Sequence, residues 1–429
     1  MASIRKRKDS YQITVSNGRD SQGRQILETA TFRPDPARTE KQNQKALEKF
    51  VFEFEEKVKS GKYLDGEKLT FQAFAERWLS EYAVHHLEPS TLQIYTYLLQ
   101  AHIFPAIGHL KLSKLQPAQL NKFYNDLADH RKDGRAGGYA AKTIKQIHNI
   151  ISSIYTTALK WNVCTENPCQ RTEAPRTASA GDKVKYFTLE QVQTFLGLLD
   201  REYNTTYKAH DRTDDTGKAY HVAEYSETRK LPTQFKLFFL LALFCGCRRG
   251  ELLALTWADL DFHTGSLSIT KSTGIVNGKP LTRAPKTRSS IRVLSVPASV
   301  LEVARAYRKE QLQYRMALGS KWEGDNYIFI QWNGRQMHPD TPYNTFKRVI
   351  RRYNDSCSKE EDKLPEIPLH GLRHTSATLL ISQNVDVRTV SGRLGHAQTS
   401  TTMDIYAHSL KKMDEVAAEK LENLLAQGR

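Results

Sequence analysis

The sequence predicts a multidomain, mainly α fold: a small β-sheet plus helix at the N-terminus, an all-α domain in the middle and an α+β domain at the C-terminus. Three observations predict it. A chain of 429 residues is too long for one ordinary core and long enough for two or three. Apolar residues recur at helical spacing through most segments, whereas strand-like alternation is confined to residues 1–33, 266–296 and a short run at 327–330. Two stretches without either period, 60–68 and 166–185, fall where composition changes and read as linkers.

Composition narrows the partners. Lys and Arg number 63 against 47 Asp and Glu, giving a net charge of +16 and a pI near 9.4. So basic a balance points to a polyanion, nucleic acid first and a membrane surface second. The chain has no apolar run of about 18 residues to span a bilayer. Its basic start, Met1 to Lys8, lacks the apolar stretch of a signal peptide, and a nuclear signal is the weaker reading of it. The five cysteines (164, 169, 245, 247 and 357) are spaced like neither a disulfide framework nor a zinc knuckle. The cytosol is the compartment expected.

In residues 1–33, Ser10–Val15 and Gln25–Phe32 alternate as strands, with turn chemistry at Asn17-Gly18 and Ser21-Gln22-Gly23. Arg5, Lys6, Arg7, Lys8, Arg19, Arg24 and Arg33 make this sheet basic. Such a ribbon suits a DNA major groove, and a merely solvated basic face is the plainer alternative. A helix follows from Thr39 to about Lys59, with Ala46, Phe50, Val51 and Phe54 on one stripe. Beyond the first linker come four helices. Phe71, Phe74, Trp78 and Tyr82 mark the first. Pro89 opens a second that Pro105 and Gly108 should stop, and Pro117 opens a third. The fourth, from about Ala141 to Trp161, carries an isoleucine stripe, and Lys142 and Lys145 near its start are candidates to meet phosphates.

After the second linker, Thr188-Leu189-Glu190-Gln191 has the form of a capping box. Residues 201–232 are polar and read as a mobile insertion without an assigned role. Phe235–Phe244 is almost wholly apolar and reads as a buried core helix. It ends at Cys245-Gly246-Cys247, and Arg248-Arg249-Gly250-Glu251 opens the next helix. A guanidinium directly after a buried helix must be satisfied by an acid, with Glu251 the near choice, or by a bound anion. Ser266–Thr270, a stretch broken at Asn277-Gly278, and Ser290–Val296 form an antiparallel sheet. Lys286 and Arg288 precede its last strand in a run dense in anion-binding groups. Helices near 298–318 and 341–354 bracket a short strand, Tyr327–Ile330.

His370-Gly371-Leu372-Arg373-His374 then opens an apolar helix, where His370 and Arg373 share a face at i and i+3. Three readings compete. His370 and His374 have the i, i+4 spacing of a metal pair, but position 371 is not the glutamate that zincin chemistry needs, and Arg373 would repel a cation. A buried His–Arg cluster paired with carboxylates leaves unexplained why Arg248, Lys286 and His396 stand at element ends in the same half. An anion site accounts for all of them, with Tyr406 beside it as a phenolic nucleophile.

In this order the motifs Cys245–Leu252, Pro285-Lys286-Thr287, His370-Gly371-Leu372-Arg373, Leu394-Gly395-His396 and Thr402–Tyr406 resemble the tyrosine recombinases, the phage-integrase family, and within it integrases of conjugative transposons. Cys247 departs from the larger apolar residue common there. The resemblance implies an α+β catalytic domain of the tyrosine recombinase and type IB topoisomerase type over 184–429. It also implies a helical, SAM-like core-binding domain over 68–172 and a three-stranded arm-binding domain over 1–62. It implies that Tyr406 forms a 3′-phosphotyrosyl bond, that Arg248 and Arg373 clamp the phosphate, and that Lys286 protonates the leaving oxygen. His370 then acts as base, His396 donates to the phosphate, and Glu251 supports the cations. No metal and no cofactor is implied, because fixed cations do that work. The implied partners are double-stranded DNA at core and arm sites, an excisionase, a DNA-bending host protein, and a homotetramer linked by the C-terminal helix. Met413, Val416, Leu421 and Leu424 make an apolar stripe on that helix. The alternatives are a type IB-like topoisomerase, or a DNA-binding regulator that only holds phosphates.

Overall fold

The structure is a computed structural model that describes residues 2–19, 22–59, 69–131, 136–173, 185–214, 216–285, 288–396 and 402–403. It divides into two compact units, Met1–Gly181 and Asp182–Arg429.

In the first unit, β1 (Ser3–Arg7), β2 (Ser10–Arg19) and β3 (Gln25–Phe32) form an antiparallel sheet in the order β1-β2-β3. The period of two turns Ile13 and Val15 toward α1 (Glu40–Lys59). That helix answers with Leu47, Phe54 and Val58, so the buried stripe is shifted from the one expected, and Ala46, Phe50 and Val51 are only half-buried. The register sets Arg5 opposite Gln12 and Arg7 opposite Ser10, on the face away from the helix, while Lys6 lies opposite Tyr11 on the helix side.

A separate core is built by α2 (Phe71–Trp78) and, beyond the short, exposed α3 (Val84–His86), by α4 (Pro89–Leu98), α5 (Pro117–Asp129) and α6 (Ala141–Lys160). Phe71, Phe74, Trp78 and the α6 isoleucines are buried in it, and Trp78 Nε1 donates to Thr157 Oγ1 at 3.0 Å. The expected stop at Pro105 does not occur. The chain continues from α4 as a wide π-helical segment, Leu99–Gly108, with Pro105 inside it. The wider winding accommodates a proline ring and a missing N–H that a regular α-helix tolerates poorly.

The second unit starts with α7 (Leu189–Leu198), where Thr188 Oγ1 accepts from Gln191 N–H and Gln191 Oε1 accepts from Thr188 N–H. The segment expected to be mobile is instead a paired ribbon. Strand β4 (Tyr203–Tyr207) pairs with β7 (Tyr225–Arg229), and β5 (His210–Thr213) with β6 (Ala219–Val222). Tyr207 stacks on Tyr225 with ring centroids 4.8 Å apart, and Arg229 covers Tyr207. Cross-strand aromatic and polar pairs of this kind hold a ribbon whose apolar content is low.

Helix α8 (Thr233–Phe244) is buried on nearly every side, as a helix apolar all round must be. It is followed by α9 (Arg249–Leu253), β8 (Leu260–Asp261), β9 (Ser266–Ile269), the hairpin β10 (Ser272–Val276) and β11 (Lys279–Arg283), and β12 (Arg292–Ser295). The sheet order is β12-β9-β8, and β10–β11 stands apart, turning at Asn277-Gly278. Residues 327–330 make only isolated bridges, Thr256 to Tyr327 and Ile330 to Gln336, rather than the expected strand. Their backbone is shared between two neighbours: Ile328 N–H donates to Leu255 O, and Met337 N–H donates to Phe329 O. Helices α10 (Ala298–Leu318), α11 (Asp340–Ser356), α12 (Gly371–Ser382) and α13 (Val387–Leu394) complete the unit. Phe187, Phe195, Phe239 and Phe346 pack at its centre, each buried ring contributing about 1.5–3 kcal/mol. Among the described residues, no helix is long and apolar enough to cross a membrane.

Candidate active site

The end of α8 and the start of α9 build the first side of the site. Gly246 takes φ +61°, and a Cβ there would meet Leu394 Cδ2 at 2.6 Å, so only glycine fits this turn. The turn aims Gly246 O at Arg373, whose Nη1 donates to it at 2.7 Å from the buried face of α12. Two residues on, Arg248 caps α9. Glu251 accepts from the Arg248 backbone N–H at 2.8 Å with Oε2 and from its Nη1 at 2.8 Å with Oε1. Of the arginine pair only Arg248 belongs to the site; Arg249 is held by Pro339 O and Asp340.

The second side comes from α12 and α13. His370 is the N-cap of α12, and its ring meets His374 edge-on, with centroids 4.8 Å apart. Gly395 ends α13 in the left-handed conformation, φ +67°, and its carbonyl accepts from Arg248 Nη2 at 3.2 Å. The turn carries His396 out of the helix, where Nδ1 lies 2.8 Å from the buried Thr402 hydroxyl.

Electrostatics bind these groups together. Burial, followed by the charges of His374, Arg373, Arg248 and His396, lowers the His370 pKa to about 4. Burial and Arg373 lower His374 to about 4, and burial, Arg373 and Arg248 lower His396 to about 4. His370 retains exposure to solvent, which screens its shift, but burial and the cationic neighbours push in the same direction. All three imidazoles are therefore neutral at pH 7. Burial alone would raise the Glu251 pKa; the hydrogen bonds and charge of Arg292, with those of Arg248, outweigh it and hold the carboxyl below its usual range.

Of the residues expected in the site, Arg248, Glu251, His370, Arg373 and His396 come together. Lys286 and Tyr406, the side chain of Arg288 and the C-terminal helix stripe lie outside the described residues. The hairpin β10–β11 that leads to Lys286 rests on α9 through Gln336. Gln336 Nε2 donates to Leu253 O at 2.9 Å, Thr273 Oγ1 at 2.7 Å and Thr282 Oγ1 at 3.1 Å. In the first unit Lys142 and Lys145 are exposed on the same side of α6. Arg5, Lys6, Arg7 and Lys8 are exposed on β1 and its turn, as are Arg19 and Arg24 near the β2–β3 connection.

Sequence reasoning missed Arg292. It lies on β12 in phase with Leu294 and Val296, so an arginine stands where the alternation calls for a core residue, and that is the signal that marks it. Its Nη1 and Nη2 donate to Glu251 Oε1 and Oε2 at 3.1 and 2.8 Å. Thr402 opens the Thr402–Tyr406 motif, but sequence reasoning assigned it no role and missed its contact with His396.

The sequence profile of the phage integrase family matches residues 213–413, and that of its N-terminal SAM-like domain matches residues 70–128. A XerC-like tyrosine recombinase of Caldanaerobacter subterraneus subsp. tengcongensis is 24% identical over 98% of both chains. The ICEBs1 integrase of Bacillus subtilis is 27% identical over 79% of both. Among solved structures, the Tn1549 transposon integrase in complex with a circular intermediate DNA shares the fold with a TM-score of 0.61. Its identity is 17%, covering 82% of this chain and 99% of that one. These matches and the motif order agree: the chain belongs to the phage integrase family and is a tyrosine site-specific recombinase.

Proposed function

We propose that the chain excises and integrates a mobile genetic element by cutting and rejoining double-stranded DNA through a 3′-phosphotyrosyl intermediate. The observation that carries this is the convergence of Arg248, Arg373, His370 and His396, close enough for the charges to lower the imidazole pKa values, with Glu251 bonded to Arg248. In this reading Tyr406 attacks the scissile phosphorus and the 5′-oxygen leaves, so the phosphodiester energy is kept in the protein–DNA bond and no ATP is needed. Arg248 and Arg373 bind the non-bridging oxygens as their charge grows in the pentavalent transition state. His370, being neutral, can take the Tyr406 proton, and Lys286 gives one to the leaving oxygen. With His396 also neutral, a donor at Nε2 requires Nδ1 to be the acceptor, a tautomer fixed by the Thr402 hydroxyl.

DNA recognition falls to the remaining basic surfaces in the same reading. Residues 1–62 form an arm-binding domain, with Arg5 and Arg7 on the open face of its sheet. Residues 68–172 form a core-binding domain that meets phosphates with Lys142 and Lys145, and residues 184–429 form the catalytic domain. Assembly is a tetramer on two duplexes joined by the C-terminal helices, with an excisionase and a DNA-bending host protein setting direction. The compartment is the bacterial cytoplasm at the nucleoid.

The test is a nicked suicide duplex carrying the element's attachment site. Wild-type protein should form a covalent adduct, and Tyr406→Phe should bind equally well and form none. An adduct with Tyr406→Phe would remove the nucleophile assignment. Relaxation of plasmid lacking any attachment site would favour a topoisomerase instead.

A further inference from the structure

Arg292 touches three parts of the site at once. Besides the two bonds to Glu251, its Nε donates to Arg393 O at 2.7 Å, just before Leu394-Gly395-His396. Its Nη1 also donates to Ser290 O at 3.0 Å, in the segment that follows Lys286. The side chain is only 7% exposed and Glu251 is 3% exposed, whereas Arg248 is 36% exposed. The buried carboxylate therefore has a buried, bidentate partner, and the open arginine shares what is left of it.

We propose that Arg292 is a positioning residue that keeps Glu251 neutralised, so that the charge of Arg248 stays available to the scissile phosphate. The argument is one of stoichiometry, and it rests on the recombinase reading above. Arg248, Arg292 and Arg373 against Glu251 leave two positive charges in excess, the number of arginines expected to meet the phosphate. A carboxylate takes the bidentate guanidinium as its strongest partner. Without Arg292, the buried Glu251 would turn to the one partner still bonded to it, Arg248. The clamp would be half-neutralised from within, while the fold around it could remain. Glu251 thus caps and orients Arg248, and Arg292 prevents the same carboxylate from cancelling it.

The competing explanation is that Arg292 only pins β12 to α9 and the end of α13. A double-mutant cycle separates the two. Single-turnover cleavage of the suicide duplex by the full-length chain is compared for wild type, Arg292→Met, Glu251→Gln and the double variant. A neutral methylphosphonate at the scissile position, which lacks the charged oxygen that Arg248 serves, is the second substrate. The expected result is a loss on the order of 100-fold for Arg292→Met on the phosphodiester, the effect of losing one charge-stabilising donor. On methylphosphonate the loss should shrink below about tenfold, and in the Glu251→Gln background Arg292→Met should cost less than about threefold.

Equal losses on both substrates, or the same loss with and without Glu251, would leave only a structural pin and overturn the proposal. If Arg292→Met alone fails to fold, the comparison of Glu251→Gln with the double variant decides, because neither leaves an unpaired buried carboxylate. Absence of any adduct with wild type would instead sink the recombinase reading.

Discussion

Gly246→Ala isolates the turn on which the clamp depends. At φ +61° an L-residue is in the left-handed region, which costs about 1–2 kcal/mol. The new Cβ would lie 2.6 Å from Leu394 Cδ2, and Leu394 is fully buried, so it has no free space to move into. Overpacking of that kind adds about 1–3 kcal/mol, for a total of about 2–5 kcal/mol. Hydrogen–deuterium exchange of the full chain, read on peptides from 233–244 and 371–382, reports this second unit without mixing in the first. At 1.36 kcal/mol per tenfold, exchange there should quicken by about 30- to 5,000-fold. Gly197→Ala is the matched control: Gly197 is exposed on α7 with nothing near its Cβ position, so alanine should stabilise the helix by up to about 1 kcal/mol. Exchange in Gly246→Ala within threefold of wild type would mean that Leu394 yields, and the claim that packing fixes this glycine would fail.

Three further outcomes follow from the same geometry. The depressed histidines must be neutral in the folded state, so the unfolded state binds more protons below its ordinary value of about 6.5. Stability should therefore fall as pH drops from about 6.5 toward about 4, and Glu251, held low, adds a further loss only below about 4.3. Denaturant melts as steep and as stable at pH 5 as at pH 7.5 would contradict this. Arg5→Ala and Arg7→Ala should each reduce the slope of log affinity on log salt for arm DNA by about 1, and Lys6→Ala by less, because Lys6 is turned to the helix side over Tyr11. Equal slopes in all three variants would remove the open sheet face as the contact. Gln336→Ala should slow cleavage at least tenfold, part of the roughly 100- to 10,000-fold that a general acid contributes, by loosening the hairpin that leads to Lys286. A bridging 5′-phosphorothiolate, whose sulfur leaves without a proton, should restore most of the rate, and failure to do so would place the defect elsewhere.

How legible the site was depended on whether a residue's role is local. His370 and Arg373 share a helix face at i and i+3, and Arg248 and Glu251 share one turn, so short-range spacing was enough to nominate them. Arg292 reaches Glu251 across 41 positions and is recognisable only once β12 is known to turn its even residues inward. Thr402 matters solely because His396 folds back upon it. The fold divided in the same way. Helix stripes were readable, but the 201–232 ribbon, stabilised by Tyr207 on Tyr225 and by a Thr206–Ser226 hydroxyl pair, offers little apolar signal. The π-helical passage through Pro105 defied the rule that proline stops a helix, because the rule assumes α winding.

In the recombinase reading the site is an anion clamp, and that role bears on the protonation of its imidazoles. Burial first, and then the neighbouring imidazoles and fixed guanidiniums, lower the three imidazoles to about 4 and hold them neutral. A scissile phosphodiester bound by Arg248 and Arg373 would cancel the part of the shift that those guanidiniums cause. The proton affinity of His370 would then rise, and in the reading proposed here this happens when Tyr406 has a proton to give up. A base that strengthens on substrate binding needs no separate switch: the arginines proposed to recognise the phosphate also contribute to the pKa. The arrangement works only while the cations remain in excess of the carboxylate that orients them. A buried Glu251 with Arg248 as its sole partner would organise the site and disarm it together, and the bidentate Arg292 separates those two consequences.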